Sequence, residues 1–185
     1  MSSVRTSEDM ERAVRAIARH FKSDAVFIIG SQSVILEWPS APVLLRTSGE
    51  IDAYPGNAEE WEAENPIEAS EEISALFGWG SHFQDTHGFY IDGVDRNTAV
   101  LPEDWMHRCI KMHVDVDGRR VTAIAPSPED LAAAKLIRYD DKDLDYVRER
   151  DRFKPLDRNR VIQSLEDSSA DPALISRARS FVLNM

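Results

Sequence analysis

An α+β fold is the class that this 185-residue chain predicts: a mixed β-sheet flanked by helices, followed by a C-terminal helical part. Three observations carry it. The apolar run at residues 25–29 reads as a buried strand bounded by a charged turn and by Gly30-Ser31. Residues 110–124 alternate apolar and polar on both sides of Asp117-Gly118, the pattern of a β-hairpin. From Ser127 onward the chain shows only helical spacing, punctuated by Ser, Asp and Pro at helix starts. Residues 1–126 are expected to form the α/β core. Residues 127–185 supply the helices that pack on it, within one compact domain of ordinary size.

Thr6 is a good N-cap, with Glu8 and Asp9 in the first turn of a helix that carries Met10, Val14, Ile17, Ala18 and Phe21 on one face. After the 25–29 strand, residues 31–37 read as a short helix ended by Pro39. Gln32 and Ser33 would lie in its first turn, available to a phosphate or merely capping. Residues 48–54 form a second strand, and period-two alternation puts Glu50 and Asp52 on one face. An acidic stretch at 58–64 and a helix at 67–77 follow. Residues 82–88 read as a loop into a strand at 89–94. His82, Asp85 and His87 are ordinary zinc-ligand types, but they lack a Cys pair or a His-Glu-x-x-His spacing and read as polar surface. In the hairpin, Lys111, His113 and Asp115 share one face. Ser127-Pro128-Glu129-Asp130 then opens a helix, a break falls at Asp140-Asp141, and further helices start at Lys142, Pro155 and Asp171-Pro172.

Composition narrows the function classes. A hydrophobic share of 42% with 30% charged residues describes a soluble globular chain. No apolar run approaches the roughly 20 residues that span a bilayer, and residues 1–10 carry no signal-peptide core. Cys109 is the single cysteine, which excludes an internal disulfide framework and suits the cytoplasm. The net charge of -11 argues against broad electrostatic binding to DNA or RNA. Residues 135–160 are the exception: nine Lys/Arg against seven Asp/Glu give a local balance of +2 and leave -13 on the remainder. A modest positive surface there suits a triphosphate or a short nucleic-acid end, or it is a solvated mixed-sign face.

The chemistry sits around Gly30-Ser31 and Glu50-Ile51-Asp52. A Gly-Ser turn opening a helix offers free N–H groups to phosphate, and two adjacent carboxylates are hard ligands for magnesium. The alternative is that Glu50 and Asp52 pair with Arg46 or Arg119. This arrangement resembles the minimal nucleotidyltransferase superfamily, where Gly-Ser ends the first strand and a paired-acid motif lies on the next. It is most similar to small bacterial nucleotidyltransferase-fold proteins of the toxin–antitoxin and abortive-infection-like branch, a family whose domain function is unknown. Arg46, Ser48, Glu50 and Asp52 match its R-x-[ST]-x-[DE]-x-D motif. Asp130, Leu131, Lys135, Leu136, Arg138, Lys142, Asp143, Asp145, Tyr146 and Val147 match a second motif, and the resemblance spans residues 27–147.

The resemblance implies Mg²⁺-dependent transfer of a nucleoside monophosphate from an NTP to an acceptor hydroxyl. Glu50 and Asp52 would bind the metal, and Gly30, Ser31, Arg46 and Lys135 the nucleotide. Asp143 would complete the catalytic set with Glu50 and Asp52, and Asp92 and Asp115 are further candidates for the third carboxylate. Asp143 also suits a helix cap or a partner for Arg138, and Lys135 must either snorkel or meet a buried anion. The acceptor is open, with tRNA and protein side chains both compatible. A cognate partner protein, such as a winged-helix regulator, is implied by the same branch. One departure stands: active superfamily members mostly carry Asp where this chain has Glu50. The alternative is therefore a catalytically inactive nucleotide-sensing or protein-binding module.

Overall fold

The structure is a computed structural model that describes residues 3–185. The chain separates into two units: residues up to Arg96 with Ile110–Ala125, and Asn97–Cys109 with Pro126–Met185.

The first unit holds the sheet. Strand β1 (Ser3–Val4) leads into α1 (Ser7–Phe21), where Thr6 and Asp9 form a reciprocal capping box. Strand β2 (Ala25–Ile28) is followed by a 3₁₀ turn at Ser31–Ser33, then α2 (Val34–Glu37), α3 (Val43–Arg46), β3 (Thr47–Ser48) and β4 (Glu50–Pro55). Next come α4 (Ala58–Glu64), α5 (Ala69–Phe77), α6 (His82–His87) and β5 (Tyr90–Gly93), then β6 (Ile110–Val116) and β7 (Arg119–Ala125). The five long strands are ordered β5-β4-β2-β7-β6. The β4–β5 and β2–β7 pairs are parallel, and the β2–β4 and β6–β7 pairs antiparallel. Strands β1 and β3 pair separately. Alternation decides the burial. Ile51 and Ile91 are fully buried in register, whereas Glu50, Asp52, Tyr90 and Asp92 point to the other face and are half-buried. Helices α1 and α5 are linked by His20 Nε2 and Glu72 Oε1 at 2.9 Å.

The second unit is helical: α7 (Pro128–Arg138), α8 (Asp141–Phe153), α9 (Arg158–Glu166) and α10 (Pro172–Leu183). Its core gathers Leu136, Val147, Val161, Leu165, Ala178 and Val182. Asn97–Cys109 belongs with these helices because Arg108 donates to Asp130, whose carboxylate is fully buried. Among the described residues, no helix is long and apolar enough to cross a membrane.

Local chemistry explains the departures from expectation. His82–His87 is a helix rather than a loop, because Ser81 caps the N-terminus by accepting from Gln84 N–H and Gly88 closes it in the left-handed region. The helix expected from Pro155 starts only at Arg158, since the Asp157 side chain accepts the N–H groups of Asn159 and Arg160. The 31–37 segment splits into a 3₁₀ turn and one α-helical turn. Arg46 ends the short helix α3 and passes directly into β3 at Thr47.

Truncating Ile51 removes a fully buried side chain from β4. Ile51→Ala is expected to cost about 2–5 kcal/mol, read as a lower urea midpoint with the fold retained.

Candidate functional site

Two features of the first unit converge on one corner of the sheet. The first is the end of β2. Its neighbour β4 runs antiparallel, and the bond from Ile29 N–H to Asp52 O, 3.1 Å long, carries the pairing past Ile28. This brings the Asp52 side chain over Gly30. A Cβ at position 30 would lie 1.5 Å from Asp52 Oδ2 and 2.5 Å from its Cγ. The Gly30 backbone is extended, at φ -82° and ψ -171°. Glycine is needed there for space and not for backbone freedom.

The second feature is the β4–β5 pair. Glu50 lies opposite Tyr90, and Asp52 opposite Asp92. The Tyr90 hydroxyl donates to Glu50 Oε2 at 2.5 Å. That hydrogen bond, together with desolvation and the charges of Glu50, Asp92 and Asp52, drives the Tyr90 pKa well above the usual phenol value. Burial, then the Glu50 charge, raises Asp92 above the ordinary carboxylate range. Asp92 thus holds its negative charge at an energetic cost, with Glu50 and Asp52 on the adjoining strand. Among the described residues, no three His, Cys, Asp or Glu side chains draw together into a ready-made metal-binding group. Magnesium, as a rule, needs no such group. That ion binds through one or two carboxylates plus substrate phosphates and seldom occupies an all-protein cage.

The other sequence candidates divide. Ser31 follows Gly30 directly, but the elements after it are too short to offer a sizeable helix dipole. Phosphate contact there would depend on individual N–H and hydroxyl groups. Gln32 and Ser33 are buried, and Gln32 Nε2 donates to Leu45 O at 3.4 Å, so Gln32 is an internal tie to α3. Arg46 is turned onto two main-chain carbonyls, Ala41 O at 2.6 Å and Arg5 O at 3.0 Å. Of the candidates for a third carboxylate, Asp92 adjoins Asp52. Asp115 lies on β6, three strands away from β4 at the opposite edge.

Lys135 and Asp143 belong to the helical unit. Lys135 Nζ lies 2.8 Å from Asp143 Oδ1, and the two side chains are 7% and 1% exposed, so the buried anion that Lys135 meets is Asp143. Arg138 adds bonds of 2.5 and 2.7 Å to the same carboxylate, and Tyr146 presents its ring to Lys135 Nζ at 4.8 Å. Burial pushes Asp143 up, but the hydrogen bonds and charges of Arg138 and Lys135 outweigh it and hold the carboxyl below its usual range. In the same unit a cleft of about 780 Å³ is lined by Arg148, Arg152 and Arg177 with Tyr139 and Phe181. None of the candidate residues lines it.

A family model described as a nucleotidyltransferase of unknown function (DUF6036) matches residues 7–183. The chain belongs to that family. No curated protein and no solved structure matches it. For this DUF6036 member, the sheet corner carries the Gly-Ser and paired-acid arrangement that the sequence put forward. Two residues there escaped sequence reasoning: Tyr90, which holds Glu50, and Trp79, whose ring meets Tyr90 edge-on at 5.6 Å. Trp79 carried a signal, since a tryptophan between two glycines has no helical or strand period to place it in a core.

Two expectations follow. Gly30→Ala must displace the Asp52 carboxylate and should lower the urea midpoint, with the circular dichroism spectrum unchanged. Asp143→Asn leaves Lys135 buried without its counter-charge and should cost about 3–5 kcal/mol, somewhat less because half-exposed Arg138 shares the carboxylate with water. A depressed carboxylate pKa stabilises above its unfolded value of about 3.9 and loses that contribution as pH falls through the folded value. The wild type's resistance to urea should therefore fall below about pH 4, and Asp143→Asn should flatten that acid limb.

Proposed function

We propose that the protein binds an NTP with magnesium at the Glu50–Asp52 corner and transfers its nucleoside monophosphate to an acceptor hydroxyl. The observation that carries this is the packing of Gly30 beneath the Asp52 carboxylate, with Asp92 in register beside it. Glu50 and Asp52 would hold the metal, which supplies Lewis-acid stabilisation of the charge that develops on the leaving pyrophosphate. The Gly30–Ser31 main chain and the Ser31 hydroxyl orient the β- and γ-phosphates. Asp92 accepts the proton of the attacking hydroxyl, whose oxygen bonds to the α-phosphorus as pyrophosphate departs with the electron pair of the broken P–O bond. Its raised pKa suits a base better than that of Asp143, which two cations hold in the ionised form. Tyr90 fixes the Glu50 carboxylate, and Arg46 braces the loop that enters β4. Most of the catalysis is then positioning and electrostatics.

The acceptor class that fits an acidic chain is the end of a tRNA or a protein side-chain hydroxyl. The setting is a cytoplasmic toxin–antitoxin or defence pair with a cognate partner protein. A second reading has its own support. Glu50 stands at the first acidic position, and its carboxylate is engaged by Tyr90. A catalytically inactive nucleotide sensor would bind nucleotide without turnover, and a protein-binding module would bind a protein partner instead.

Calorimetric titration of magnesium-NTP tests the reading. Binding is expected in the wild type, to be lost without magnesium and in Asp52→Asn. Asp92→Asn should keep binding and lower α-label transfer by about 10²-fold or more. Binding without any transfer would favour the sensor, and no binding of any NTP to folded protein would overturn the enzyme and the sensor and leave the protein-binding module.

A further inference from the structure

Trp79 is 76% exposed, the most exposed of the large apolar side chains among the described residues. An indole left in water forgoes the hydrophobic gain that usually places tryptophan inside. The turn that carries it is nonetheless firmly built. Gly78 N–H donates to Ser74 O at 3.0 Å, Ser81 N–H to Gly78 O at 3.1 Å, and Gly80 N–H to Gln84 Oε1 at 2.7 Å. Both flanking glycines are required. A Cβ at Gly78 would lie 2.2 Å from Ser74 O, and Gly80 has φ +78°. The main chain is thus tied down on both sides of a residue whose ring is mostly in solvent. That ring stands edge-on to Tyr90 at 86°, and the far end of Tyr90 holds Glu50. One aromatic ring therefore separates Trp79 from the carboxylates, a span that a nucleoside triphosphate exceeds.

We infer that Trp79 is the platform on which the nucleobase stacks while the phosphates lie at the Glu50–Asp52 corner. The inference rests on the nucleotide-binding reading of that corner and adds a base-recognition element to it. The occupant is a planar, uncharged π-system, since the metal and the phosphates account for the charged part of the ligand. Stacking on an indole face selects for a base over none and tolerates exchange of one base for another. Purines, with the larger face, gain most.

The test compares magnesium-ATP with magnesium-tripolyphosphate, which lacks base and sugar, by calorimetry on the full chain. Wild type, Trp79→Ala, Trp79→Phe and Asp52→Asn are the four proteins. The expected pattern is that Trp79→Ala weakens ATP by about tenfold to a hundredfold. Tripolyphosphate affinity stays unchanged, Trp79→Phe recovers most of the loss, and Asp52→Asn loses both ligands. ATP binding equal to wild type in Trp79→Ala, with Asp52→Asn inactive, overturns the platform and leaves the metal corner standing. An equal loss of ATP and tripolyphosphate makes Trp79 a structural support and also overturns the platform. No binding of either ligand to the wild type defeats the corner, and the platform with it. Because Trp79 is mostly in solvent, its removal opens no core cavity, and all four proteins are expected to fold.

Discussion

Gly30 and Asp52 occupy the same few ångströms. The antiparallel pairing of β2 with β4 forces the end of one strand against a side chain of the other, and only the missing Cβ lets the carboxylate stay there. Everything proposed for the sheet corner depends on that approach. It fixes the Asp52 carboxylate beside the Gly30–Ser31 main chain. The parallel β4–β5 pairing then adds Asp92 and Tyr90 on the same face, while Ile51 and Ile91 anchor the opposite face in the core. A hydrophobic register thereby sets the chemistry, because a slip of one residue would bury the carboxylates and expose the isoleucines.

The two charge clusters of the molecule are built on different principles. At the sheet corner, burial and the Glu50 charge raise the proton affinity of Asp92, and the hydrogen bond to Glu50 together with burial raises that of Tyr90. In the helical unit, Asp143 is surrounded by Lys135 and Arg138. Asp130, fully buried, is met by Arg108, Ser127 and Ser164 at hydrogen-bond distance. Those groups satisfy one another, as buried charges must. The helical unit complements its buried charges within the fold. The sheet corner instead sets three carboxylates on two adjacent strands.

Much of this was legible in the sequence wherever a local period or cap dictates structure. The 110–124 alternation is the β6–β7 hairpin, Thr6 with Asp9 is a capping box, and Ser127-Pro128 opens α7. The Glu50–Asp52 pair and the Gly30 turn were visible because each lies within a few residues of a strand. What escaped depends on pairing across distance. Tyr90 meets Glu50 only once β5 is known to lie beside β4, and Asp115 could be set aside only once β6 was known to lie at the far edge. Asp130 reads in sequence as a helix-start acid. Its partners Arg108 and Ser164 are 22 and 34 residues away, which no short-range pattern reports.

The central claim is that the β4 carboxylates and the end of β2 hold one metal–nucleotide complex. A crystal grown with manganese and a non-hydrolysable NTP tests it most directly, because anomalous scattering locates the metal independently of the refined coordinates. The account predicts a manganese peak within coordination distance of both Glu50 and Asp52, with triphosphate density running over Gly30 and Ser31. Nucleotide bound elsewhere, or a metal that avoids those two carboxylates while nucleotide is present, would contradict it.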